Sequence, residues 1–344
     1  MDNSIIVEDV GKFIRGGGNS TVDLTPLLGK SVLITGATGL IGTYFIYSLL
    51  ELNKISTEKT TIRIIIHRGL PEHLQHLPTE KNVEIYKGDL QDLNFCASLP
   101  SSDYIIHGAG YAQPLEYKDN PMSPLRLNAM TTDVMFKKLN PDGRLLFLSS
   151  CSVYTGSEDF PYTEKSAGRS MPDHPRACYI EGKRCGETIC HAWENMGKSS
   201  KIARIGFVYG PGVRASERRV LWDFIRKGLN GKIELIDEGK TRREYFYVAD
   251  AVADMWRIFL HGKDMTYNID GASKATSIRE LAQTIGKLMN VPVVLPQISD
   301  GYYGAREGEV CIDKLKAEFG ERDYVPLEEG LRRTIQWYES NIVA

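Results

Sequence analysis

Tyr179 and Lys183 stand four residues apart in a segment, 176–197, whose pattern reads as a helix, so both project from one face. A free tyrosine titrates near ~10 and is a poor base at neutral pH. A neighbouring ammonium favours the phenolate, and so would a positively charged nicotinamide. The pair is therefore equipped to pass a proton to or from a hydroxyl or ketone. The spacing Y-x-x-x-K occurs on many ordinary helices and gains meaning from what precedes it. Upstream, Leu148-Ser149-Ser150-Cys151-Ser152-Val153-Tyr154 ends an apolar run in hydroxyls. A hydroxyl at the C-terminal end of a strand faces the crevice where open α/β sheets bind ligands. Ser150 is the expected hydrogen-bond donor to the reacting oxygen, with Ser149 as the alternative.

A second constellation, Gly36-Ala37-Thr38-Gly39-Leu40-Ile41-Gly42, lies between the apolar run Ser31–Thr35 and a helical pattern from Leu40 to Leu52. Gly36 permits a tight turn, Gly39 lets backbone approach a pyrophosphate, and Gly42 allows close helix–strand packing. The helix start at Leu40 and Ile41 then offers free N–H groups and a positive dipole end to phosphates. Strand–turn–helix context makes this a dinucleotide site, with Thr38 inside the turn. The next strand, Ile62–Ile66, ends in His67-Arg68, where an NAD enzyme usually carries a carboxylate for the ribose 2′-hydroxyl. Arg68 suits a 2′-phosphate instead, so NADP is the preferred expectation and NAD the other. Asp89-Leu90, after the strand Val83–Tyr86, suits contacts to adenine; Asp89 equally suits capping of a helix starting near Gln91.

The elements that must hold these residues alternate. Strands at 31–35, 62–66, 83–86, 104–107, 145–148 and 202–205 are separated mostly by helical patterns, notably 121–139 and 176–197. That rhythm predicts an α/β fold, a Rossmann-type doubly wound parallel sheet. Residues 1–29 read as an N-terminal extension, in which Ile5, Ile6, Val10 and Phe13 line one face of a short helix before Gly16-Gly17-Gly18. Residues 30–205 read as the dinucleotide-binding unit. Residues 206–344, with helices at 277–289 and 327–339, read as a smaller α/β substrate lobe, some of whose segments return to the first unit.

The chain of 344 residues balances 42 basic against 44 acidic side chains. That offers no general field for nucleic acid or anionic lipid. No window reaches the ~18 apolar residues of a membrane span. Six cysteines without a C-x-x-C pair read as reduced thiols in a cytoplasm. His73 and His76 lack a ligand set around them, so no metal is expected and both read as solvated.

On GATGLIG, the Ser-Ser before Val153-Tyr154 and the Tyr179/Lys183 pair, the chain from about Lys30 onward resembles the extended short-chain dehydrogenase/reductases, the nucleotide-sugar epimerase/dehydratase group. Pro175–Thr188 is particularly similar to UDP-glucuronate decarboxylases. His107-Gly108-Ala109, Asn120-Pro121 and Asn128 also resemble that group, which implies Gly108 and Ala109 against the cofactor. Arg243, in Arg-Glu-Tyr-Phe-Tyr-Val248, and Arg306, just before Gly308-Glu-Val310, match arginines that the family sets on the substrate's diphosphate, a bidentate pairing. The resemblance implies a nucleotide-sugar substrate and a homodimer built on the 121–139 and 176–197 helices.

The departures narrow the activity. Dehydratases carry Asp-Glu where this chain has Cys151-Ser152, which are expected on the substrate side. Decarboxylases carry glutamate at Ser152. The family's asparagine before Y-G-P is replaced within Gly206-Phe207-Val208-Tyr209. Reduction of a keto sugar, or epimerisation through a transient ketone, is the first expectation. UDP-uronic acid decarboxylation is the alternative. A non-enzymatic dinucleotide-binding regulator would have been favoured by a broken Tyr–Lys pair, and the pair is intact.

Overall fold

In a computed structural model describing residues 2–17, 21–111, 119–271, 275–296 and 309–343, the strands of the first half assemble in one parallel sheet. They are β1 (Ser31–Thr35), β2 (Thr61–Ile66), β3 (Val83–Lys87), β4 (Ser102–His107), β5 (Leu139–Ser150) and β6 (Ser199–Ile205). A seventh strand, Thr266–Ile269, pairs in parallel with β6 from the far end of the chain. The order is seventh–β6–β5–β4–β1–β2–β3, reversing direction between β1 and β4. Such a reversal opens a crevice at the carboxyl ends of the strands. β1, the inner strand, is apolar and almost wholly buried, as a strand covered on both faces must be.

Helices α1 (Ser4–Arg15), α2 (Leu40–Ile55), α3 (Leu93–Ser98), α4 (Met122–Asn128), α5 (Met130–Lys137) and α6 (Ala177–Asn195) come from the first part of the chain. Helices α7 (Val220–Leu229), α8 (Val248–His261), α9 (Ile278–Met289), α10 (Asp313–Phe319) and α11 (Leu327–Tyr338) follow. α9 starts on a capping box: Ser277 accepts from the Glu280 N–H while Glu280 accepts from the Ser277 N–H.

Three expectations about elements change. The helix expected over 121–139 divides at Ala129, a turn residue between two helices whose φ of −99° and ψ of −75° lie at the edge of the right-handed helical region. Its last residue, Leu139, instead begins β5, which runs twelve residues because a register shift opposite Ser102 and Tyr104 absorbs Pro141-Asp142-Gly143. α3 starts at Leu93 behind the capping side chain of Asp92, so Asp89 does not cap it; Asp89 receives the Gln91 N–H at 2.9 Å in the preceding turn.

α1 is packed, not loose. Ile6 and Val10 are fully buried and Phe13 nearly so, in one core with α2 and α8. Its Asp9 accepts the hydroxyls of Tyr44 (2.8 Å) and Tyr247 (2.6 Å) and pairs with Arg333 at 2.7 Å. Each lies on a different part of the chain: α2, the stretch before α8, and α11.

Candidate active site

β1 and β4 meet the crevice at Thr35 and His107, and one hydroxyl shapes the loops beyond. Thr35 Oγ1 accepts the N–H groups of Gly108 (3.1 Å) and Ala109 (3.0 Å), and lies 2.8 Å from His107 Nδ1. With two donors already on that oxygen, its single hydrogen must go to Nδ1. The ring proton then sits on Nε2 and reaches the Leu127 carbonyl at 3.1 Å. Burial depresses the His107 pKa to about 4, helped by the nearby Lys183 charge, so the imidazole is neutral and this arrangement is fixed.

Gly36 occupies the adjoining turn at φ +70°, and a Cβ there would lie 2.4 Å from the Gly108 carbonyl oxygen. A Cβ on Gly42 would lie 2.4 Å from the Gly36 oxygen. Only glycine lets the two loops and the α2 start close together. Gly39 caps α2 with no side-chain bond, and the first turn contains no acidic residue. The N–H groups of that turn are left for an exogenous acceptor, which is what a pyrophosphate requires. The turn thus fits a dinucleotide, whose nicotinamide would take and return a hydride.

Tyr179 and Lys183 line the same cavity, about 1250 Å³ in volume. Lys183 is 5% exposed, its ammonium donates to the Leu148 carbonyl at 2.6 Å, and it lies 5.9 Å from the centre of the Tyr179 ring. Burial lowers its pKa to about 8 while Glu187 pulls the other way. A Cβ on Gly110 would lie 3.8 Å from Asn128 Oδ1 and 3.9 Å from Lys183 Nζ, so Asn128 also stands behind the lysine. The two serines separate in role. Ser149 gives its hydrogen to Glu187 at 2.5 Å, and Glu187 is held by Arg204 at 2.7 Å. Ser150 Oγ accepts the Ser152 N–H at 3.2 Å and lines the cavity.

Gly36, Thr38, Gly39, Leu40, Ile41, Gly42, His67, Arg68, Asp89, Leu90, Gly108 and Ala109 all line this cavity, as do Cys151, Ser152 and Arg243. His67 Nε2 lies 4.0 Å from Asp89. Arg243 packs its guanidinium over Phe207, 5.5 Å from the ring centre. Arg306 lies outside the described residues. His73 is buried rather than solvated, 3% exposed, edge-on to Trp337 and 3.3 Å from the Thr43 hydroxyl. Among the described residues no group of three or more metal-ligating side chains forms.

Several residues in the cavity wall escape a local reading of the sequence. Arg176 donates to the Ser152 hydroxyl at 2.9 Å, one turn before Tyr179. Arg214 reaches the phosphate turn. Opposite, Asp270 sits at the end of the seventh strand, its carboxylate filling the space Gly206 leaves: a Cβ on Gly206 would lie 2.1 Å from Asp270 Oδ2. Burial pushes its pKa up, and Glu244 adds to the push. Glu244 is raised to about 7, first by burial; its Oε2 has no partner among the described residues. Burial, with both carboxylates adding to it, also raises Cys151. Asp270 escapes because the strand it ends, Thr266–Ile269, is not expected from the sequence.

Comparison with known proteins agrees with this geometry. Residues 32–270 match the NAD dependent epimerase/dehydratase family. A UDP-glucuronic acid decarboxylase 1 of Xenopus tropicalis is 29% identical over 91% of this chain and 73% of its own length. Among solved structures, the UDP-glucose 4-epimerase of Thermotoga maritima, determined with UDP-glucose, superposes with a TM-score of 0.76 at 21% identity, covering 90% of this chain and 99% of that one. MoeE5 in complex with UDP-glucuronic acid and NAD gives 0.71 at 24% identity, over 91% of this chain and 100% of the other. These two share the fold. The chain belongs to the NAD dependent epimerase/dehydratase family, enzymes of the extended short-chain dehydrogenase/reductase kind that modify nucleotide sugars.

Proposed function

We propose that this enzyme works on a ring carbon of a nucleotide-diphosphate sugar, with Tyr179 taking or returning the hydroxyl proton while the carbon exchanges hydride with the bound dinucleotide. Epimerisation passes through the ketone and regenerates the cofactor; reduction of a keto sugar consumes it. The observation that carries this reading is the buried Lys183 ammonium beside the Tyr179 ring, in one cavity with the glycine turn. Its charge favours the tyrosinate, and Ser150 holds the reacting oxygen. Incubation with a panel of nucleotide sugars, with products read by mass spectrometry, tests it. Conversion with conserved cofactor supports epimerisation, stoichiometric oxidation of added NAD(P)H supports reduction, and no conversion of any sugar refutes both.

A second reading, decarboxylation of a UDP-uronic acid, is favoured by the likeness to UDP-glucuronic acid decarboxylases and by Arg176, a guanidinium on the cavity wall suited to a carboxylate. Against it stands Ser152, which offers no acid. Release of CO2 from UDP-glucuronic acid decides for it.

The same proposal takes NADP(H) over NAD(H). The end of β2 carries His67 and Arg68 in place of the usual carboxylate, with the nearby Asp89 facing His67 at 4.0 Å. A charge-assisted contact is worth roughly 1.5–3 kcal/mol. Calorimetric titration should give tighter NADP(H) binding in the wild type, lost in Arg68→Ala; equal affinities overturn it. The assembly expected is a homodimer. Met122 and Met130 are about half exposed and available for it, whereas Leu127 is buried in its own core. A monomer by light scattering at micromolar concentration refutes this.

A further inference from the structure

Residues 210–219 lead from the strand pair Val208–Tyr209 to α7, and midway Arg214 reaches back to the glycine turn. Its Nε donates to the Thr38 carbonyl at 3.2 Å and its Nη2 to the Thr38 hydroxyl. The contact spans 176 residues of sequence. Arg214 lines the same cavity as Gly36, Gly39 and Gly42, and its charge reaches His73, whose pKa burial and this guanidinium together hold near 4.

The placement is electrostatically one-sided. The α2 N-terminus carries the positive end of its dipole and unsatisfied N–H groups, with no carboxylate in its first turn and no side-chain cap. A guanidinium beside that terminus adds positive charge to positive potential. Both features favour the same thing, an anion between them. We propose that Arg214 is part of the diphosphate site: the turn cradles the dinucleotide's diphosphate with its N–H groups, and Arg214, held against the turn by its two bonds to Thr38, adds a guanidinium at the turn's edge. The inference rests on dinucleotide binding at the turn and not on which sugar reaction follows. A cofactor held in this way stays through successive turnovers, as oxidation followed by re-reduction needs.

The test uses the full chain freed of nucleotide, with Arg214→Ala and Arg214→Lys. ADP-ribose carries the diphosphate, adenosine lacks it, and UDP stands for the substrate's diphosphate. In Arg214→Ala, ADP-ribose affinity should fall about 10- to 100-fold by calorimetry, the usual range for a charge-assisted contact. NAD and NADP should weaken to the same degree, and NADH release in stopped flow should speed up correspondingly. Adenosine binding, followed by ligand-observed NMR, and UDP binding should not change. Arg214→Lys, which keeps the charge and loses the fork, should fall between. An equal loss for adenosine would mean the turn itself had collapsed. A loss confined to UDP would give Arg214 to the substrate, a loss confined to NADP would give it to the 2′-phosphate, and unchanged ADP-ribose affinity would leave it a tether. Each of these overturns the proposal. If no dinucleotide binds the wild type, the family reading of the turn fails instead.

Discussion

The two sides of the cavity are built by different means. The glycine-turn side is largely backbone: the turn at 36–42, the helix terminus behind it, and the Gly108-Ala109 loop, which the Thr35 hydroxyl ties to a neutral His107. The facing side is side chains from distant segments, with Cys151, Glu244 and Asp270 against one another beside Arg243. On the first side a Cβ at Gly36 or Gly42 would run into fixed backbone oxygens. A wall of carboxyls tolerates movement and changes charge with pH. The first suits a ligand common to a whole family, and the second suits what distinguishes its members.

The largest effect is expected at the seam. Tyr179→Phe should bind cofactor as before and lose at least ~10²-fold in turnover, the scale of general acid–base catalysis. Single-turnover nicotinamide absorbance measures it, and near-normal rates would remove Tyr179 from the reaction. Next come matched glycine replacements. Gly36→Ala puts a Cβ at positive φ against a backbone oxygen, a strain of about 1–3 kcal/mol, and should lower both Tm and cofactor affinity. At Gly206→Ala the atoms nearest the new Cβ belong to the Asp270 carboxyl, so it should leave cofactor titration unchanged and raise substrate KM. Parallel loss of cofactor affinity in both variants would erase the contrast.

The smallest effect concerns pH. Glu244 titrates at about 7, raised by burial, so it is neutral in acid and negative above. A diphosphate substrate should meet growing repulsion as pH rises through 7, giving a few-fold rise in KM over a range where cofactor affinity is flat. The folded state binds this proton more tightly than the unfolded chain does. That contribution to stability is therefore present below about 4.5, the ordinary glutamate value, and is lost as pH rises towards 7. Glu244→Gln should flatten both profiles; a KM that still rises in this variant assigns the titration elsewhere.

The legibility of the site divides along the same line. Gly36–Gly42 and Tyr179/Lys183 are short-range patterns, and β1, β2, α2 and α6 around them follow from periodicity, so sequence shows them directly. Glu244, Asp270 and Arg214 become neighbours of the site only through long-range pairing. Asp270 arrives because the strand Thr266–Ile269 crosses back to pair with β6. His73, a polar residue in a short 3-10 turn, reads as solvated until α11 brings Trp337 against it. The break at Ala129 has no glycine or proline of its own to announce it.

Asp9 has a consequence for how the molecule is made. Its hydroxyl partner on α2 leaves the ribosome early, whereas Arg333 comes far later; the neighbouring Glu8–Arg333 contact spans 325 residues. At about 5–20 residues per second of synthesis, that interval is on the order of tens of seconds. Through it, α1 holds a carboxylate whose ion partner does not yet exist, next to the apolar stripe of Ile6, Val10 and Phe13. Although α1 is made long before α11, its carboxylate is locked only once Arg333 has been synthesised.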